Sequence, residues 1–352
     1  MSGQIRLEQT PRPNLFIVGA PKCGTTSLHV YLSQHPDFFM SHLKELAFFC
    51  PDIETRPESA TESMYLDHFR EGAGRRWLGE STPLYLTSKE SAARIAAFNP
   101  SARIIMVLRE PVAMMQALYG QYLHMCIPCR ADFERELRAQ EESRRRGERY
   151  AFPGHWGIQR FLDVADYAAQ IRRFRDHFPE SQIKVILYDD LARDTPGVYA
   201  DLVGWLGLTP TGSESFSRLN SQRVHLDPRV SSAIRSFTSI TRILRRAFPG
   251  TTECIREFVI RKGTRTLSRL DPDQHARLQA EFFPDFSELE SLIGRSLAQW
   301  RMDGAVERPS GSSNLTRSST GPDAPADALR RQAMPSRVPV RTPRPSVPQP
   351  SS

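Results

Sequence analysis

Apolar runs separated by turn residues organise most of the chain. Leu15-Phe16-Ile17-Val18 predicts a short buried strand. Gly19 to Gly24 follows as a tight loop. Thr25-Thr26-Ser27 then opens a run with Leu28, Tyr31 and Leu32 at helical spacing, which stops before Pro36. Trp77-Leu78-Gly79 predicts a second strand. Ser88 to Phe98 predicts a helix with Ala92, Ile95 and Ala96 on one face, ended by Asn99-Pro100. Ile104 to Leu108 is apolar throughout, as a strand covered on both faces requires. A helix follows from Val112 to about His124. Asp132 to Arg146 is charged nearly all round and predicts a solvated helix or flap. Tyr167 to Phe178 has a helical pattern ended by Pro179. Ile183 to Tyr188 predicts another buried-type strand, and Val198 to Leu206 a helix stopped by Gly207. From about 208 to 265 the pattern is weaker; 271–300 predicts two helices.

Strands alternating with helices predict an α/β fold with a mainly parallel central sheet and helices on both faces. Such sheets bind ligands at the carboxyl ends of their strands. That expectation gathers the Gly19–Thr26 loop, Arg109 after the third strand, and Tyr188-Asp189 into one neighbourhood.

Composition sets the limits of this picture. The chain has 352 residues, 39% apolar and 25% charged, which fits a soluble globular protein. Residues 1–13 are polar, predict a flexible arm, and lack the apolar core of a signal peptide, so a cytoplasmic location is expected. No apolar run approaches the ~20 residues of a membrane helix. Residues 14–303 form the expected single domain. The Pro/Ser/Arg-rich stretch 304–352 predicts a disordered tail. A net charge of +7 suits an anionic ligand and equally a non-specific basic surface. No nucleic-acid module is apparent. Five cysteines make no disulfide framework in a chain this long. Cys126 and Cys129 form one CxxC near His124, without the second pair a zinc site needs, so free thiols are expected.

The chemistry sits in the first loop. A strand, a glycine-bounded turn and a helix N-terminus make an anion cradle from backbone N–H groups and the helix dipole, and Lys22 adds a full charge. The loop departs from a triphosphate-binding one. Gly24 is followed by Thr25 rather than lysine, and the strand at 104–108 ends in Arg109-Glu110-Pro111 rather than a metal-binding aspartate. Asp189 and Asp190 are read as turn or helix caps. Gly-x-Gly-x-x-Gly is absent. A metal-free anion site is therefore expected.

Pro21-Lys22-Cys23-Gly24-Thr25-Thr26 resembles the 5′-phosphosulfate loop of sulfotransferases that use 3′-phosphoadenylyl sulfate (PAPS). Lys44-Glu45-Leu46-Ala47-Phe48-Phe49 and Gly79-Glu80-Ser81-Thr82-Pro83-Leu84-Tyr85 are similar to segments of the heparan-sulfate-type branch. Val107-Leu108-Arg109-Glu110-Pro111-Val112 resembles the family's 3′-phosphate motif. The ordered match runs from 14 to about 208, with a looser one near 289–300.

The resemblance implies a P-loop NTPase-like sulfotransferase fold and assigns roles. Pro21, Lys22, Cys23, Gly24, Thr25 and Thr26 would hold the 5′-phosphosulfate, and Lys22 would stabilise the departing phosphate. Glu45 would be the general base and Lys44 would offset charge on the sulfonate. Arg109 would bind the 3′-phosphate with its planar fork. Tyr188 is placed either beside the adenine or in the core. His42 and His124 are reserve bases. The implied reaction carries a sulfuryl group from PAPS, leaving adenosine 3′,5′-bisphosphate, to a hydroxyl or amine of a carbohydrate, small-molecule or lipid acceptor. Phe38, Phe39, Phe48, Phe49 and Tyr85 would suit an apolar acceptor.

Two positions depart from the family pattern. Ala117 stands where the family has a serine sharing the 3′-phosphate, and Ser81 where its best-known members have lysine. Ser221 or Arg223 would be substitutes for the former. Arg261-Lys262-Gly263 resembles the Arg-Lys-Gly loop of the cytosolic branch, without its flanks. Two other classes stay open: a small-molecule or nucleotide kinase with an atypical loop, and a catalytically weak nucleotide-binding scaffold.

Overall fold

A computed structural model describes residues 11–55, 61–125, 127–130, 132–148, 150, 157–217, 225–226, 264–265 and 270–301. All lie within one compact unit, Met1–Gly304. Ser221, Arg223, Arg261-Lys262-Gly263, Cys126, the 304–352 tail and most of the N-terminal arm lie outside the described residues.

Five strands build the main sheet: β1 Leu15–Gly19, β2 Phe38–Met40, β3 Trp77–Ser81, β4 Arg103–Leu108 and β5 Ile183–Leu187. Their order is β2-β3-β1-β4-β5, and every pairing is parallel. Apolar content explains the order. β1 is buried along its whole length and takes the centre, and β4 beside it is buried from Ile104 onward. β5 is an edge strand and less covered than a buried-type strand; Lys184 on it reaches Asp201 at 2.7 Å. A separate two-residue pair, His225–Leu226 with Thr264–Arg265, is antiparallel.

The chain leaves β1 towards β2 and β3 on one side, then crosses to β4 and β5 on the other. The carboxyl ends of β1 and β4 therefore flank the point where strand order reverses, the usual ligand crevice of such sheets. Ala20 N–H donates to Val107 O at 2.7 Å, which carries the β1–β4 ladder into the loop.

Several elements differ from expectation. Phe38–Met40 is a strand of three residues, too short to show a period, so Arg109 follows the fourth strand in chain order rather than the third. The helix expected from Ser88 runs Ser91–Phe98, because the Ser88 hydroxyl accepts from Glu90 and Ser91 N–H. A separate short helix, Leu84–Thr87, precedes it. The charged helix Phe133–Arg145 is not solvated all round: Phe133 and Leu137 are buried. Glu136, also buried, accepts from Arg130 N–H and from the Gln140 and Tyr150 side chains. Charge along that helix hid an inward stripe. No helix among the described residues is long and apolar enough to cross a membrane.

Candidate active site

The loop after β1 bends because two glycines permit it. A Cβ on Gly19 would stand 2.5 Å from Leu86 Cβ and 3.1 Å from Pro83 O. Gly24 has φ 90°, and a Cβ there would meet Leu191 at 3.2 Å and the Tyr188 ring at 3.4 Å. Gly24 is also the N-cap of the helix Thr25–Leu32 and offers no side chain to it. No acidic residue occupies the first turn. The N–H groups and positive dipole end of this helix thus face the crevice without an internal anion.

The neighbouring helix Pro111–His124 is built the opposite way. Its N-cap Glu110 accepts from Val112 N–H at 3.0 Å and Ala113 N–H at 2.6 Å. A carboxylate already fills that N-terminus, and the cation that follows β4 is the Arg109 side chain. Ala117 is half-buried on this helix.

Cations converge on the crevice. Arg109 Nη1 donates to Lys22 O at 3.4 Å, and its guanidinium lies 4.8 Å from the Tyr188 ring centroid. Tyr188 is half-buried and begins the helix Tyr188–Arg193, so it stands against Arg109 and Gly24 rather than in the core. Lys44 Nζ donates to Thr26 Oγ1 at 2.7 Å, which joins the Lys44-Glu45 segment to the cradle. His29, buried one turn beyond Thr26, is pushed down to about 3 by burial and by Lys44, and is neutral. Lys22 takes φ 63°.

Glu45 is exposed and takes φ 62°, and Ala47 takes φ 56°. Two left-handed non-glycine residues this close mark a backbone held by its surroundings. The holding groups belong to the end of β3. Gly79 O accepts from Ser41 N–H at 2.8 Å, and Ser81 O from Glu45 N–H at 3.0 Å. Ser81 is wholly buried, so its backbone rather than its side chain serves the site.

Some expected residues have other work. Cys23 is wholly buried and its thiol donates to Pro21 O at 3.3 Å. Burial pushes that thiol up to about 12 against the pull of Arg109 and Lys22. Cys23 therefore serves the loop through its backbone, and Pro21, with no N–H, through its shape. His42 points outward to Glu71 at 3.1 Å, and His124 is exposed at its helix end. Phe38, Phe49 and Tyr85 are core residues, whereas Phe39 and Phe48 are half-buried and Phe48 stacks on Tyr65 at 4.6 Å. Asp189 accepts from the Trp300 indole at 2.7 Å, and Asp190 pairs with Arg193 and Arg295. Among the described residues no three His, Cys, Asp or Glu side chains gather as a metal site.

One group escaped sequence reasoning. Glu80 is wholly buried and accepts from the Tyr65 hydroxyl at 2.5 Å, Thr82 at 2.8 Å and Tyr85 at 3.0 Å. Its visible signal was a lone carboxylate inside the strand Trp77–Ser81.

The sequence profile of the Sulfotransferase domain matches residues 12–229, more than half of the chain and all five strands of the main sheet. The chain belongs to the sulfotransferase family. A sulfotransferase crystal structure from Alicyclobacillus acidocaldarius superposes with a TM-score of 0.58 at 29% identity, covering 82% of this chain and 99% of that one. The membrane-associated sulfotransferase kil1 of Dictyostelium discoideum is 30% identical over 110 residues, 30% of this chain and 22% of that protein. The human heparan sulfate glucosamine 3-O-sulfotransferase 3B1 is 26% identical over 206 residues, 56% of this chain and 46% of that protein. The chain thus spans less than half the length of these curated relatives. The fold is the P-loop-like one of sulfotransferases, and sulfuryl transfer is the reaction class that goes with it.

Proposed function

We propose that this sulfotransferase moves a sulfuryl group from PAPS to a hydroxyl or amine acceptor, with Glu45 as general base. The observation that carries the reading is the pairing of two cationic groups across one crevice. The uncapped helix end beside Lys22 lies on one side and Arg109 on the other, and Arg109 donates to Lys22 O. PAPS carries a phosphosulfate at one end and a 3′-phosphate at the other, one anion for each of these two groups.

Each residue's task follows from its chemistry. The loop N–H groups, Thr25 and Thr26 hold the phosphosulfate. Lys22 offsets charge on the bridging oxygen as the S–O bond to phosphate breaks. Lys44, fixed to Thr26, offsets charge on the sulfonate in flight. Glu45, exposed at the mouth, takes the acceptor proton as the new bond to sulfur forms. Arg109 grips the 3′-phosphate, with the Tyr188 ring beside its guanidinium at 4.8 Å.

A sugar hydroxyl or amine is the favoured acceptor. The relatives named for heparan sulfate act on such groups, and Phe38, Phe49 and Tyr85, three of the five aromatic residues that would have suited a lipid, are buried instead. Calorimetric titration with adenosine 3′,5′-bisphosphate and with Mg-ATP tests the donor. Bisphosphate binding that is lost in Lys22→Ala and Arg109→Ala is expected. Tight Mg-ATP binding without bisphosphate binding would sink the reading in favour of a kinase.

A further inference from the structure

The segment that carries Lys44 and Glu45 hangs on hydroxyl groups as well as backbone. Ala47 N–H donates to Thr82 Oγ1, and Phe49 N–H donates to the Tyr85 hydroxyl, each at 3.4 Å. Both hydroxyls in turn donate to Glu80, Thr82 to one carboxylate oxygen and Tyr85 to the other. We infer that Glu80 is a positioning residue, orienting the Thr82 and Tyr85 hydroxyls so that they hold the strained Lys44–Ala47 turn at the mouth of the anion cradle.

A hydroxyl has a single hydrogen. If that hydrogen points at Glu80, the oxygen lone pairs are left for the N–H groups of Ala47 and Phe49. An ionised carboxylate only accepts, so it enforces this direction on both hydroxyls at once. The isosteric amide of glutamine cannot, because its NH₂ end donates. One hydroxyl must then reverse and point its hydrogen at a backbone N–H. The turn between them holds Glu45 and Ala47 at φ 62° and 56°, conformations that persist only where neighbours over-determine them.

Among the described residues the groups facing Glu80 carry no competing charge at neutral pH. They are the hydroxyls of Tyr65, Tyr85 and Thr82, and the buried Cys50 thiol. Burial raises Glu80 to about 7, and the three hydroxyls pull the other way, so the carboxylate is charged at slightly alkaline pH. Tyr65 also donates to Glu80 but carries no backbone N–H of the turn in the observed bonding, which makes it the internal control.

The inference rests on the proposed role of Glu45, and its test is independent of the donor. Amide hydrogen exchange of the full chain is measured at pH 8, residue by residue. Glu80→Gln is expected to speed exchange about fivefold at Ala47 or at Phe49, whichever hydroxyl faces the amide NH₂, the loss of one modest hydrogen bond, with β1 and β4 unchanged. Thr82→Val should expose Ala47 alone and Thr82→Ser restore it, although valine packs more like threonine. Tyr85→Phe should expose Phe49 alone, and Tyr65→Phe neither. Equal effects of Glu80→Gln and Tyr65→Phe, or a uniform rise across β1 and β4, would make Glu80 a stability group and overturn the inference. If Glu80→Gln does not fold, unchanged Ala47 exchange in Thr82→Val overturns it. Failure of the wild-type chain to bind adenosine 3′,5′-bisphosphate would instead strike at the proposed function, and leaves the exchange result standing.

Discussion

Under the proposed function Glu45 and Lys22 divide the work of the site between proton transfer and anion binding, and variants should separate the two. Glu45 is exposed at the mouth and bonds to β3 through its backbone, so its carboxylate can be neutralised without disturbing the cradle. Glu45→Gln is expected to lower kcat by about 10²–10⁴-fold. Calorimetry should find bisphosphate affinity within about twofold of wild type, since uniform binding is untouched. Lys22→Ala should reduce both. A matching loss of affinity in Glu45→Gln would place that carboxylate in the binding site instead. Glu80 makes a pH prediction of opposite character. Burial lifts it from 4.5 to about 7, so between those values the folded state holds a proton the unfolded chain has lost. Its contribution to stability is full below pH 4.5 and is lost as pH rises through about 7. The urea-unfolding free energy of wild type relative to Glu80→Gln should therefore fall between pH 5 and pH 8, by roughly 3 kcal/mol at most. A difference independent of pH would mean that Glu80 ionises normally in the folded protein.

The two helices at the crevice show how far local sequence carries. Gly24-Thr25-Thr26 was legible as a helix start because glycine before two hydroxyl residues, followed by apolar residues at helical spacing, satisfies every local rule at once. What was not legible is which N-terminus stays open. That depends on Glu110 folding back onto its own helix, a choice of rotamer rather than of pattern. Gly24→Ala forces a side chain into φ 90° with Leu191 3.2 Å away. It should cost on the order of 1–3 kcal/mol in thermal unfolding and weaken bisphosphate binding with it. The second helix makes the reverse case. Its N–H groups are taken by Glu110, so under the proposed function a phosphate on Arg109 lacks a hydroxyl partner wherever Ala117 faces it. Ala117→Ser is expected to tighten bisphosphate binding about tenfold, one hydrogen bond to a charged group. Unchanged affinity would show that position 117 faces away from the 3′-phosphate.

At the scale of the whole molecule the site belongs to the topology, and the far end of the chain helps to build it. The strands that carry the site, β1 and β4, could be read from apolar runs because both are buried and long enough to show a pattern. β2 was missed at three residues, and Glu80 went without a role because one carboxylate in a strand says nothing about the Tyr65 hydroxyl that a separate helix, Glu62–Asp67, brings to it, or about which way Thr82 and Tyr85 turn. The same limit applies to the C-terminal helices. Their apolar spacing predicted two helices within 271–300, but not that they return to the crevice. Gln279 on the helix Pro272–Phe282 donates to Glu110 at 3.1 Å and to Trp300 O at 2.5 Å. Trp300, wholly buried, donates its indole N–H to Asp189, next to Tyr188. Arg109 and Tyr188 are therefore backed from behind by residues more than a hundred positions away in sequence. Trp300→Phe keeps most of the ring's packing and removes the donor to Asp189. It should cost about 1–3 kcal/mol in urea unfolding, the penalty of a carboxylate left without its partner. Trp300→Ala adds a cavity and should cost about 3–5 kcal/mol. If the support reaches the site, bisphosphate affinity falls in Trp300→Phe by more than the small change in folded population can explain, and Lys22→Ala in that background loses no more than it does alone. Affinity unchanged in Trp300→Phe would confine the C-terminal helices to stability and leave the cradle to the sheet.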